Sequence, residues 1–208
     1  MIENLPGPSD AELNLLAAAT AERAAAFCRV MGSEEQQDWI DSGLELAWRM
    51  AAGHDVADDC SALLDSLVED DEGEFEDADP TASPGFYAEM AVGLVGEALA
   101  VSLRPSVDRI ETGFKTMRTL FSMVDFKLSG EKPVIVRAGE PQPAPGPLVQ
   151  GERDAEDQAL AILLRERGVA GERLGAESTL TELRDLSEAF STDVTPALEE
   201  FSEANNWS

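Results

Sequence analysis

The chain has 208 residues, is 43% apolar and only 6% aromatic, and carries a formal charge of -27 at pH 7. That charge repels phosphate backbones and anionic membranes, which excludes direct nucleic-acid and membrane-surface binding, and it favours encounter with a basic partner. Two distant cysteines, Cys28 and Cys60, offer neither a disulfide framework nor a metal-type spacing.

The start, "MIENLPGPSD", is acidic where a signal peptide has a basic stretch followed by an apolar one, so a cytoplasmic protein is expected. Ser9 or Asp10 caps a first helix to about Val30, with Leu13, Leu16, Ala17, Ala24, Phe27 and Cys28 on one face. Ser33 and Gln36 form a capping box for a second helix, Glu34 to Ala52, with a stripe of Ile40, Leu44, Ala47 and Ala51. A third, shorter helix begins near Asp55 and turns Val56, Leu63, Leu64, Leu67 and Val68 inward.

There the composition changes. "LVEDDEGEFEDADPTASPGF", residues 67–86, holds eight carboxylates and neither Lys nor Arg. Residues 50–103 as a whole carry fourteen acids and no Lys or Arg, half the net charge of the chain. Its glycine falls at the wrong place for a calcium loop of the EF-hand type.

Ser83-Pro84 opens a fourth helix to about Leu103, apolar almost all round, which is expected at the centre of a bundle. Its run "MAVGLVGEALAVSL" is interrupted by Glu97 and is shorter than the ~18 residues of a membrane span. A fifth helix after Pro105 repeats Val107, Ile110, Phe114, Met117, Phe121, Val124 and Leu128 at 3–4 spacing. This stripe is either a core face or a coiled-coil seam for a homodimer through residues 105–128. Five prolines between 133 and 147 make residues 131–150 an extended linker, in which Val134-Ile135-Val136 has strand character. Helices then follow at Asp154–Arg167, Leu180–Phe190 and Pro196–Ala204. The expected fold is all-α: a helical bundle with a long central antiparallel helix pair over residues 1–130, and a small docked C-terminal helical extension, residues 151–208.

"LELAWRMAAG" (Leu44–Gly53), an acidic loop, "SPGFYAEMAVGLVGEALAV" and a long helix ending "MVDF" together resemble the YjaG-like all-helical bacterial family of unknown function, over about residues 10–128. The resemblance implies an all-helical fold and brings no site residues with it.

Catalytic chemistry has few carriers. His54 is the single histidine, beside Gly53 at a helix end, and no phosphate loop or HExxH pattern occurs. Glu34, Glu35 and Asp38 on one helix with Asp55 and Asp58 on the next are similar to the EExxE…ExxD pattern of MazG-type nucleoside triphosphate pyrophosphatases. That resemblance implies Mg²⁺ held between two helices. Aspartate stands for two expected glutamates here, and the cations a triphosphate needs are missing nearby.

The acidic stretch carries the leading expectation: a non-enzymatic binding protein, immunity- or antitoxin-like or a nucleic-acid mimic, with no cofactor. It would occlude a basic partner such as a nuclease or other toxin. Asp70, Asp71, Glu72, Glu74, Glu76, Asp77 and Asp79 would supply the charge, and Phe75, Phe86 and Tyr87 the apolar anchors. A solvated loop tip without a partner is the bland alternative. The other alternative is an adaptor that dimerises through helix 105–128.

Overall fold

The structure is a computed structural model that describes Leu5 and residues 7–68, 79–130, 143–169 and 177–207, with the backbone alone at Val68, Gly168 and Val169. The described residues form seven α-helices and one 3₁₀ turn. The helices are α1 (Asp10–Met31), α2 (Glu34–Ala51), α3 (Ala57–Val68), α4 (Pro84–Leu103), α5 (Val107–Ser129), α6 (Pro147–Val169) and α7 (Glu177–Ala204). The all-helical bundle is therefore as expected. Val134, Ile135 and Val136 lie outside the described residues.

Local signals set the helix starts. Ser9 and Ser33 each accept from the amide three residues on, and Glu12 and Gln36 reach back to close both capping boxes. Ser83 caps α4, with Pro84 in its first turn. Gly130, at φ 63°, ends α5 in the left-handed conformation that glycine adopts without strain.

The centre of the bundle is α1, a position the sequence suggests for α4. Helices α2, α4, α5, α6 and α7 all pack on it. Seven of its alanines, Ala17, Ala18, Ala19, Ala21, Ala24, Ala25 and Ala26, are buried. With so little side chain on any face, neighbours approach from every side. Phe27 near the end of α1 stacks on Tyr87 near the start of α4, so these two form the central antiparallel pair. Of the described helices, α4 alone is long and apolar enough to cross a membrane, with a mean hydropathy of 1.4 over its best window; half of that window is buried inside the fold.

The stripe of α5 is spent inside the fold. Ile110, Phe114, Met117, Phe121 and Val124 are buried, and α5 packs on α1, α6 and α7. A homodimer through this seam would have to open the core.

Among the described residues two helices, rather than three, follow the proline-rich region. α6 begins at Pro147, inside the expected linker, because Asp125 of α5 caps it from across the fold: its carboxylate accepts from the amides of Leu148 at 3.1 Å and Val149 at 3.0 Å. α7 runs straight through Pro196. An interior proline costs about 3 kcal/mol. Burying Val194, Leu198 and Phe201, which continue the buried face begun at Leu183, contributes roughly 1.5–3 kcal/mol each and outweighs that cost. Pro196 itself faces solvent. Val149, Leu160, Leu163, Leu183, Leu198 and Phe201 share one core with α1 and α4.

Candidate functional site

Of the expected partner-binding residues, Asp70, Asp71, Glu72, Glu74, Phe75, Glu76 and Asp77 lie outside the described residues. Asp79 is exposed and caps the 3₁₀ turn Pro80–Ala82 by accepting from the Thr81 amide at 3.0 Å. Phe86 is half-buried, with its edge against Tyr87. Tyr87 is not a surface anchor. It is 2% exposed, and its ring meets Phe27, Phe201 and Trp207. The fourth position of a helix after an acidic loop reads as surface; here α7 returns its C-terminal end to cover it.

The carboxylates of the pyrophosphatase-like pattern do not converge. The Trp39 indole donates to Ser66 Oγ at 3.2 Å, so the start of α2 lies beside the end of α3. Glu34, Glu35 and Asp38 therefore sit at one end of this antiparallel pair, and Asp55 and Asp58 at the other, about 12 Å or more away along α3. Among the described residues no three acidic, histidine or cysteine side chains are placed to hold a metal ion.

The α2–α3 pair gathers charge of another kind. Between Glu34 and Leu67 stand nine carboxylates and one cation, Arg49, and each of the nine carboxylates is exposed. The cause is the stripe: α2 buries Ile40, Gly43, Leu44, Ala47, Trp48 and Ala51, which turns Glu34, Glu35, Asp38, Asp41 and Glu45 outward. Asp55, Asp58, Asp59 and Asp65 do the same along α3. This face runs in sequence directly into the acidic stretch.

Beside it, α2 and α7 flank α1 and leave an open groove of about 700 Å³. Its floor holds the buried Glu22, which accepts from the Trp48 indole at 3.0 Å and pairs with Arg29 at 3.2 Å. Arg184 lies 6.0 Å over the Trp48 ring and pairs with Glu188. The cations of the groove are thus matched by carboxylates, and its rim adds Asp41, Glu45 and His54.

A second ionic group lies in the core, at positions that no sequence pattern marks. Arg23 of α1 and Glu152 of α6, 1% and 0% exposed, share two hydrogen bonds of 2.9 and 2.7 Å. Glu156, one turn further along α6, is also buried. Arg118 Nε of α5 stands 3.2 Å from Glu156 Oε1 but donates to the Phe114 carbonyl, so Oε1 receives no hydrogen bond. Burial, and then the Glu152 charge, push the Glu156 carboxyl up to about 7 against the pull of Arg118 and Arg23. At the far end of α6, Arg167 grips Glu12 through two contacts of 2.5 Å. Burial opposes ionisation of Glu12, yet Arg167 and the Ser9 amide and hydroxyl hold its carboxyl below the usual range.

Both cysteines are buried, and desolvation raises each thiol, Cys28 to about 11, which removes them as nucleophiles. No family model, no curated protein and no solved structure matches the chain.

Proposed function

We propose that this chain is a non-enzymatic acidic binding protein that occludes a basic surface on a partner protein. The observation that carries the reading is the outward carboxylate face of α2 and α3, nine acids against one arginine, continuous in sequence with the acidic stretch up to Asp79. Exposed like charges along two packed helices weaken the fold by mutual repulsion, and a cationic partner relieves that repulsion on docking. The face steers a basic protein toward the surface and selects against anionic competitors. Immunity proteins, antitoxins and nucleic-acid mimics act by this kind of occlusion, so a nuclease or another toxin with a cationic groove is the partner class proposed.

The test compares the wild type with a variant in which Glu34, Glu35, Asp38, Asp41, Asp58, Asp59 and Asp65 become Gln or Asn, and a second in which Asp70, Asp71, Glu72, Glu74, Glu76, Asp77 and Asp79 do. Circular dichroism first establishes that the helices remain. Each is used to capture proteins at low ionic strength and is then washed with rising salt. A basic protein held by the wild type, lost by either variant and released by moderate salt is the expected result, because screening acts over about 10 Å at 0.1 M salt. Equal capture by all three proteins would sink the reading.

A further inference from the structure

We propose that the junction of Arg23, Arg118, Glu152 and Glu156 is a proton-operated clasp, with α6 seated firmly on α1 and α5 while Glu156 is neutral and loosened when it ionises. The geometry shows why one proton matters there. Four charged side chains from three helices meet there, all enclosed except Arg118, which is 21% exposed, and of the two ion pairs only Arg23–Glu152 is also hydrogen-bonded. Arg23 spends Nε and Nη2 on Glu152 and Nη1 on the Ala19 carbonyl, and its guanidinium lies 6.0 Å over the Phe190 ring of α7. It makes no hydrogen bond to Glu156, although its charge still draws on that carboxyl. Arg118, the one cation facing Glu156 from α5, directs its Nε hydrogen at the Phe114 carbonyl. The remaining charged neighbours on α6, Arg153 and Asp157, face solvent.

A negative Glu156 is therefore a buried charge one helical turn from a second carboxylate, with an oxygen that accepts no hydrogen bond. A neutral Glu156 removes the like-charge contact and leaves Arg23–Glu152 as a closed pair. The clasp sits at mid-helix. Asp125 holds one end of α6 and Glu12 the other. Ionisation thus strains the seat of the helix between two fixed points.

Hydrogen exchange of the full chain, read by mass spectrometry at about pH 6 and about pH 8 and corrected for the intrinsic pH dependence of exchange, tests the proposal. The opening equilibrium of α6 amides is expected to rise about tenfold over that interval, with α2 amides unchanged. Glu156→Gln should abolish the rise. His54→Gln should retain it, which separates the clasp from the single histidine. Equal protection of α6 at both pH values in the wild type overturns the proposal, and this arm stands whether or not Glu156→Gln folds. A rise that persists undiminished in Glu156→Gln, or one shared equally by α2, overturns it too.

Discussion

Arg23 and Glu152 stand 129 residues apart in the chain and close a two-point ion pair that water does not reach, at 1% and 0% exposure. The pair joins the central helix to α6. Removing one partner strands a buried charge. Arg23→Met is expected to lower unfolding free energy by about 3–5 kcal/mol. The double variant Arg23→Met with Glu152→Leu should recover most of that loss. Urea unfolding of the four members of the cycle measures it, and a double variant as unstable as the single one would contradict the account.

Glu156 sets a pH dependence of stability whose sign is unusual for a carboxylate. Its folded value of about 7 lies above the ordinary 4.5, so between these limits the folded state keeps a proton that the unfolded chain has released. Stability contributed by this group is full at acid pH, falls as pH rises through that window, and is lost above it. Glu156→Gln is expected to raise stability at alkaline pH by on the order of 2–3 kcal/mol and to flatten the curve between about pH 5 and pH 7. Thermal melts across pH check both.

Glu12 has the opposite sign. Its carboxyl is held low, chiefly by Arg167 and Ser9 against the cost of burial, so its contribution is present above the ordinary carboxylate value and lost as pH falls through the folded one. Arg167→Ala should therefore shift acid unfolding to higher pH. An unchanged acid midpoint would show that the Ser9 capping box alone holds Glu12.

Two glycines on neighbouring helices should respond in opposite directions. A Cβ on Gly43 would meet Val95 Cγ1 at 2.5 Å, where α2 crosses α4. Gly43→Ala is expected to cost about 1–3 kcal/mol by overpacking. Gly93 on α4 is exposed with open space around it, so Gly93→Ala should stabilise by about 0.5–1 kcal/mol through helix propensity. Paired urea titrations read both signs.

Tyr87→Ala is expected to lower stability by about 3–5 kcal/mol, as for a large aromatic lost from a core, because the ring touches Phe27, Phe201 and Trp207. Phe86→Ala, at a half-buried position, should cost less than half as much. Equal losses would contradict the deeper burial of Tyr87 under the end of α7.

Local chemistry made much of the architecture readable in one dimension. Ser9 with Glu12, Ser33 with Gln36, and Ser83 before Pro84 mark helix starts because a capping side chain reaches only three residues. The apolar stripes of α2 and α5 identify their buried faces because helical spacing puts those residues on one side, and the outward acids follow as the complement of the stripe. Non-local choices were not readable. Pro196 predicts a helix start, and only the pairing of the α7 stripe with α1 carries the helix through it. Pro147 reads as linker until Asp125 of another helix caps it. Tyr87 reads as surface until the end of α7 arrives to cover it. Nothing in one dimension marks Arg23, Glu152 and Glu156 as buried, because their enclosure depends on which helices pack around α1 and α6. The sequence determined the helices, their exposed acidic face and the net repulsion that face carries; the packing of α6 and α7 around α1 decided which charges would be buried, since desolvation depends on neighbours supplied by distant parts of the chain.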